Sequence, residues 1–426
     1  MNNKFEYLLV KNAKLIESGE TVDFVVKGDK IDSIGSVETS DFQGETWDVE
    51  GKTVACGLID MHVHFREPGQ EHKETLHTGS EASKAGGFTS ACCMPNTKPT
   101  IDNEQIVSFI KEKSKNEITN IYPIGAISQD RKGAVLAEIA EMVEAGAVAI
   151  SDDGSCTMNS ELVRYALEYS KMYGIPVITH AEDHGLTRGA CMNEGLVSTK
   201  LGLKGWPSIA EDIIVAREIL LSEFTGGKMH IAHTSTKGSV ELVRRGKEKG
   251  INITCEVTPH HFTLTDEAVL GYDTNAKMCP PLREQKDVEA LIQGLKDGTV
   301  DVIATDHAPH HIDDKDVDFP NAAMGITGLE VAIGIVGKHL VETGILDWKQ
   351  ALAKISTNPR KILNLEMPKI KVGSKAEFTI LDLDKGWTYD VSKTLSKSKN
   401  CPYNGWEMKG FVNGVVNKGM FWKANN

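Results

Sequence analysis

Between Val54 and Thr305 one pattern recurs eight times: a short β-branched run, a loop carrying polar residues and, in most cases, a longer amphipathic segment. The runs are Val54 to His62, Phe88 to Met94, Ile121 to Ile127, Ala147 to Ser151, Pro176 to His180, Lys228 to His233, Ile251 to Val257 and Val300 to Thr305. Helical periodicity follows most of them, at Thr75 to Ala85, Ala134 to Ala145, Ser160 to Tyr173, Ile209 to Ser222 and Ser239 to Lys249. Strand and helix alternating eight times within roughly 310 residues is what a (β/α)8 barrel requires. An open doubly wound sheet is the alternative, but no Gly-x-Gly-x-x-Gly follows an early strand to support a dinucleotide site there.

The two ends of the chain read differently. Tyr7-Leu8-Leu9-Val10, Phe24-Val25-Val26 and Ile31-Asp32-Ser33-Ile34 are short apolar runs separated by Gly19, Gly28-Asp29 and Gly35. Such runs are strands joined by tight turns. Phe378 to Leu381 and Gly410 to Val416 repeat the pattern, so both termini are expected to build one small composite β-sandwich. The expected division is residues 1–53 and 366–426 for that β unit and 54–365 for the barrel. The net charge of -13 argues against a nucleic-acid or anionic-membrane partner, which would carry the same sign. The first residues lack the basic and apolar regions of a signal peptide, and no apolar run has spanning length, so a cytoplasmic location is expected. Eight cysteines without a Cys-x-x-Cys pair read as reduced, mostly buried thiols.

If the barrel is right, chemistry belongs at the C-terminal ends of its strands. His62 and His64 end the first strand, and residues two apart share a face, so both imidazoles reach one cation. Arg66 continues on that side. The fourth run leads into Ser151-Asp152-Asp153-Gly154, the fifth ends on His180, the sixth on His233 and the eighth in Thr305-Asp306-His307. One histidine at a strand end is usually a packed or surface residue; coincidence at five strands points to metal. Four histidines and two carboxylates are too many for one catalytic zinc, and suit two ions bridged by a carboxylate and a hydroxide, the apparatus of metal-assisted hydrolysis. His72, His77, His184, His230 and His339 fall outside this inner set, while His260 and His261 follow the seventh strand as supporting groups.

Gly57-Leu58-Ile59-Asp60-Met61-His62-Val63-His64-Phe65-Arg66-Glu67-Pro68-Gly69, Met94-Pro95-Asn96-Thr97, Ser151-Asp152-Asp153-Gly154, Cys255-Glu256-Val257-Thr258-Pro259-His260-His261 and Ala304-Thr305-Asp306-His307-Ala308-Pro309-His310 together resemble the motifs of the bacterial-type dihydroorotases. The resemblance runs in order over most of the chain. It implies a metal-bearing barrel with a small composite β unit, and zinc-dependent, reversible closure of N-carbamoyl-L-aspartate to L-dihydroorotate in pyrimidine synthesis. It further implies two zinc ions per subunit, one on His62 and His64, the other on His180 and His233, with Asp153 bridging. Strand parity leaves Asp152 and Asp153 equivalent, and the choice of Asp153 follows the family's spacing. By the same resemblance Asp306 ligates the first ion and serves as general acid/base, and His64, Arg66, Asn96 and His310 contact substrate. A homodimer, and association with another pyrimidine-pathway enzyme, are also implied.

One departure stands out: Cys279 occupies a position where the family usually has an Asn that contacts substrate, and a thiol is a weak hydrogen-bonding partner. Met324 and Gly325 match a place where relatives use backbone groups. Two rival readings remain. Hydantoinases, dihydropyrimidinases and allantoinases share the barrel but bridge their metals with a carboxylated lysine on the fourth strand, and this chain has no lysine between Lys132 and Lys171. A non-catalytic scaffold would be expected to lose ligands, and all six are present. The acidic run after His310 is either a solvated loop or a cover that limits water access.

Overall fold

The computed structural model describes residues 2–35 and 42–424, so residues 1, 36–41 and 425–426 of the expected terminal β unit lie outside it. The inner strands are β1 (Leu58–Val63), β2 (Phe88–Cys93), β3 (Asn120–Pro123), β4 (Ile150–Ser151), β5 (Val177–Thr179), β6 (Met229–Ile231), β7 (Ile253–Val257) and β8 (Val302–Ile303). They pair in parallel as a three-stranded ladder, β1-β2-β3, and a five-stranded one, β4 to β8. Parallel bridges from Gly125 to Ile150 and from Val63 to His307 join the ladders at both seams and close the ring. His64 N donates to His307 O at 2.8 Å across the second seam. The barrel is therefore the architecture the eight repeats required.

Helices wrap the ring: α1 (Leu76–Ala85), α2 (Glu104–Ser114), α3 (Ile139–Glu144), α4 (Ser160–Tyr173), α5 (Ile209–Thr225), α6 (Lys237–Glu248) and α7 (Gln285–Asp297). Local chemistry sets their ends. Asn159 caps α4 by accepting from Glu161 N and Leu162 N, and Gly174 ends it with φ +70°, a conformation costly to residues with a Cβ. The helix expected over Ala134 to Ala145 is shorter. Residues 135–137 are drawn into backbone bonds with Ile127 to Gln129, where Gln129 N donates to Val135 O and Ala137 N to Ile127 O, so only Ile139–Glu144 is free to coil.

The single strand expected over Val54 to His62 is two strands broken at Gly57. Thr53–Cys56 leaves the barrel and pairs with Phe378–Thr388, while Leu58–Val63 enters it. A side chain at Gly57 would lie 2.2 Å from Thr89 Oγ1, so the crossing point needs glycine. Both termini meet in one nine-stranded sheet, in which Tyr7–Leu15 pairs with Thr21–Lys27, Glu45–Asp48 and Thr53–Cys56. Leu8, Val10, Phe24, Phe378, Ile380, Val416 and Phe421 form its core, drawn from both ends of the chain. Arg360 fixes this sheet to the barrel by donating to Gly57 O at 2.6 Å and pairing with Glu377. Among the described residues all eight cysteines are free, and no helix is long and apolar enough to cross a membrane.

Candidate metal centre

The ladder between β1 and β2 slips between Asp60 and Val63, a bulge of the kind that re-aims side chains beside sites. From there His62 and His64 meet residues from the ends of β4, β5, β6 and β8. His62 Nε2 lies 3.4 Å from Asp153 Oδ2 and 3.5 Å from Asp306 Oδ1. His64 Nε2 lies 3.5 and 3.0 Å from the same two oxygens. The other oxygen of Asp153 faces the second pair, at 3.5 Å from His180 Nδ1 and 3.3 Å from His233 Nε2. All six residues are buried, none more than 6% exposed. Two donor sets thus share one carboxylate: His62, His64 and Asp153 on one side, Asp153, His180 and His233 on the other.

Whether these residues suit metal is answered by what they leave unpaired. His62 Nε2 and Asp153 Oδ1 are buried without a hydrogen-bond partner, a costly state for a polar atom unless a cation takes its lone pair. The electrostatics agree. Burial pushes the carboxyls of Asp153 and Asp306 up, but His62 and the neighbouring imidazoles outweigh it and hold both well below the usual range. Burial lowers His62, yet Asp153, Glu256 and Asp306 raise it well above an ordinary imidazole. The cavity is thus lined by groups that favour positive charge within it.

Backbone geometry is specialised here as well. Arg66, His233 and Asp306 have φ of +62°, +29° and +47°, a region sparsely used by residues with a Cβ. Asp60 accepts Thr305 N at 3.2 Å with each carboxylate oxygen, bracing the approach to Asp306.

A second layer orients the first. Glu256 Oε1 lies 2.6 Å from His62 Nδ1 and accepts His233 N at 3.2 Å, so one carboxylate steadies a histidine of each pair. Its other oxygen meets His230 Nε2 at 3.2 Å, which places His230 inside the barrel rather than outside the inner set as its sequence position suggested. Thr254, one strand across, supplies a hydroxyl 2.8 Å from His230 Nδ1. Glu182 Oε2 lies 3.1 Å from His180 Nε2, and Asn96 Oδ1 lies 2.8 Å from His64 Nδ1, leaving Nδ1 of His180 and Nε2 of His64 to face the centre. His261 is occupied by Thr258 and Pro280 O, whereas His260 Nε2 is buried without a partner. Asp152 turns away to accept Ser128 N, Ser128 Oγ and Thr157 Oγ1, which separates the two carboxylates that strand parity could not.

Above the centre opens a cavity of about 650 Å³, lined by His64, Asn96, Asp153, His180, His233 and Asp306 on its floor. Arg66, Cys279, His310, Met324 and Gly325 form part of its walls, so every residue read from the resemblance as a ligand or substrate contact reaches this cavity except His62, which lies beneath it. Arg66 arrives by a route that strand alternation did not foresee. The strand stops at Val63, and a left-handed residue turns the guanidinium inward, where Nε donates to Pro309 O at 3.1 Å. Burial lowers Arg66 to about 10, which leaves it charged at neutral pH. Lys73 Nζ donates to His310 Nδ1 at 3.3 Å, so His310 Nε2 carries the proton and donates to Met324 O at 2.9 Å. Burial and the cations Arg66, Lys73 and Lys315 hold that ring neutral. Cys279 Sγ sits 3.5 Å from His180 Nε2, in the wall beside the second pair.

The acidic run after His310 is anchored rather than loose. Lys315 Nζ donates to the carbonyls of Thr274, Lys277 and Ala323, and Lys277 Nζ to those of Phe319, Pro320 and Ala322. Two buried ammonium groups stitch the segment to the turn that carries Cys279.

A family model described as dihydro-orotase-like matches residues 51–239. Over 408 residues the chain is 50% identical to a dihydroorotase of Geobacter metallireducens, covering 95% of this chain and 96% of that one. It is 51% identical over 417 residues to a dihydroorotase of Geobacter sp. strain M21, covering 97% and 98%. Among solved structures, an L-hydantoinase (dihydropyrimidinase) from Arthrobacter aurescens superposes with a TM-score of 0.84 at 24% identity, over 97% of this chain and 95% of its own. A dihydropyrimidinase from Brevibacillus agri NCHU1002 gives 0.83 at 22% identity, over 98% and 95%. At such identities the structural likeness speaks for the fold.

Proposed function

The chain belongs to the dihydroorotase family, and from that membership we propose that it catalyses the reversible cyclisation of N-carbamoyl-L-aspartate to L-dihydroorotate plus water in de novo pyrimidine synthesis. As a family member it is an enzyme of the cyclic amidohydrolase type. The observation that carries the reading is Asp153, whose two oxygens each face one histidine pair at 3.3 to 3.5 Å. In this reading His62, His64 and Asp306 would hold one divalent ion and His180 and His233 the other, with Asp153 available to both, and the imidazole and carboxylate donors favour zinc. When bound, such a pair supplies an acidified water and a polarised amide carbonyl. Residues 54–365 are read as the catalytic unit, with 1–53 and 366–426 as the β unit beneath it, and a cytoplasmic homodimer, associated with another enzyme of the pathway, is part of the same reading.

The chain's own residues divide the remaining work. Asp306 Oδ1, at the floor of the cavity, takes the proton of the attacking water in ring opening and returns it to the departing ring nitrogen. In ring closure it runs the two transfers in reverse. Arg66 offers a planar fork of donors to the substrate carboxylate. Asn96 commits its carbonyl oxygen to His64, so only its amide NH2 remains for substrate. His310 lies beside Arg66, with Nε2 3.2 Å from a guanidinium nitrogen, and would offer the Nε2–H now given to Met324 O to the substrate carboxylate. Cys279 cannot replace an Asn amide as a donor of two hydrogen bonds, which leaves more of the substrate's orientation to Arg66. Conversion of carbamoyl-aspartate by the purified protein, with metal content measured on the same sample, tests the whole reading; metal-loaded protein without that activity would refute it.

Two further results are expected. Because the shared ligand is an aspartate, protein stripped of metal and reloaded with zinc in CO2-depleted buffer should regain full activity, and a bicarbonate requirement would show that Asp153 is not the bridge. Glu256→Gln keeps the shape but not the charge that holds His62 and the His233 backbone. Competition with a chelator should show metal affinity lowered by about 10–100-fold, the usual effect of losing an outer-shell carboxylate, with unfolding temperature little changed.

A further inference from the structure

His180 presents a nitrogen on each side of its ring. Nδ1 faces the shared centre, 3.5 Å from Asp153 Oδ1, whereas Nε2 points away from it, toward a carboxylate and a thiol. Glu182 Oε2 lies 3.1 Å from that outer nitrogen and Cys279 Sγ 3.5 Å. The three donor atoms lie within 4.8 Å of one another, a group separate from the two sets that share Asp153. Around a tetrahedral zinc, with bonds of about 2.0 Å to nitrogen or oxygen and about 2.3 Å to sulfur, neighbouring donors stand about 3.3–3.6 Å apart. Two edges of the group are already close to that spacing.

The donors are also held in place by the fold. Thr187 Oγ1 donates to Glu182 Oε1, which leaves Oε2 for the His180 side. Cys279 sits on a turn fixed at both flanks. Before it, Lys277 Nζ donates to three carbonyls; after it, the buried Arg283 guanidinium donates to Ser235 Oγ, Asn193 Oδ1 and Trp206 O. His184 Nε2, 3.8 Å from Glu182 Oε2, accepts from Cys156 N, so the group offers three protein donors and one open side. That side is the cavity, whose wall includes His180, Glu182 and Cys279. A thiolate draws zinc and softer ions, and neither histidine pair contains sulfur.

We propose that His180 Nε2, Glu182 and Cys279 form a site for a third divalent ion of the thiolate-binding kind, zinc in excess or cadmium, which obstructs the cavity when filled. Binding exchanges two protons for the ion, one from the Cys279 thiol and one from His180 Nε2, and the ring then joins two cations. Like charges on one imidazole repel, so this ion binds more weakly than the pair and enters only when metal exceeds two equivalents. The inference rests on the two-ion reading for that order of filling, and adds to it a site that restrains turnover.

Cobalt(II) added to the zinc-loaded full chain tests the site. A sulfur-to-cobalt charge-transfer band in the near ultraviolet should appear and saturate at one equivalent, a signal that the sulfur-free histidine pairs do not give even if cobalt exchanges into them. Zinc in excess should inhibit in competition with substrate. Cys279→Ser and Cys279→Asn should each abolish the band and weaken zinc inhibition, measured against the variant's own uninhibited rate, by about 10²-fold, the upper end of what losing even an outer-shell partner costs. No band in the wild type, or a band that survives both substitutions and so belongs to another cysteine, overturns the site. Inhibition unchanged in both variants overturns the obstruction. A Cys279-dependent band in a chain that does not convert carbamoyl-aspartate supports the site while refuting the functional reading.

Discussion

Asp306→Asn should leave a folded protein that still takes up metal but turns over about 10²- to 10⁴-fold more slowly in both directions, the usual range for losing a positioned acid/base group. Asparagine fills the same space and keeps an oxygen to face His64 Nε2, now 3.0 Å from the carboxylate. What it cannot do is carry a proton. Burial works against the charge of Asp306, and His62, His64 and His233 outweigh it, so the carboxylate is ionised and ready to accept. Its φ of +47° is braced through Thr305 by Asp60, which the substitution leaves in place. Turnover measured from either substrate, with metal content and circular dichroism on the same preparation, decides the matter. Near-normal turnover would remove Asp306 from the proton transfer.

Arg66→Met should cost about 2–5 kcal/mol of transition-state binding for the carboxylated ring, the scale of removing one partner from a buried charge pair. That amounts to a fall in kcat/KM of roughly 30- to 5000-fold. Arg66 is 6% exposed and its ordinary neighbours on the rim do not claim it: Glu67 pairs with Lys113, and Asp60 is committed to backbone amides. Its contacts are the Pro309 carbonyl and His310, neither of which neutralises it. A buried cation without a carboxylate partner is prepared for an anionic ligand. Uncharged dihydrouracil should be a poor substrate for the wild type and no worse for the variant. If the variant handled dihydroorotate as well as wild type, or wild type preferred dihydrouracil, the substrate assignment would have to be given up with every metal ligand intact.

The proposed ligands are legible in the sequence because barrel topology turns a position along the chain into a position in space. His180, His233 and Asp306 follow the ends of β5, β6 and β8 by one to three residues, His62 lies one residue before the end of β1, and the closed ring brings those ends to one mouth. Properties that depend on neighbours distant in the chain were hidden. Glu256 looks like an interruption in an apolar strand, and its role appears only when His62, 194 residues away, is set 2.6 Å from it. His230 was discounted for the same reason. The inward turn of Arg66 depends on a backbone conformation that alternation along a strand does not encode. The short α3 shows the reverse case, where a sound helical pattern yields to competing backbone bonds from residues 127–129.

The sheet beneath the barrel also has a history in time. Thr53–Cys56 is flanked on one side by Tyr7–Leu15, made just before it, and on the other by Phe378–Thr388, and Leu58 N meets Thr379 Oγ1 across 321 residues of chain. Closing so long a loop is slow, and nothing local rewards it in advance. During synthesis the ribosome therefore delivers the whole catalytic ring while one edge of Thr53–Cys56 stands open, and an open strand edge is a template for wrong partners. A nascent or truncated chain that stops short of residue 378 holds all six proposed ligands and yet lacks the strand that covers that edge, so its fate is set by aggregation and proteolysis before chemistry is at issue.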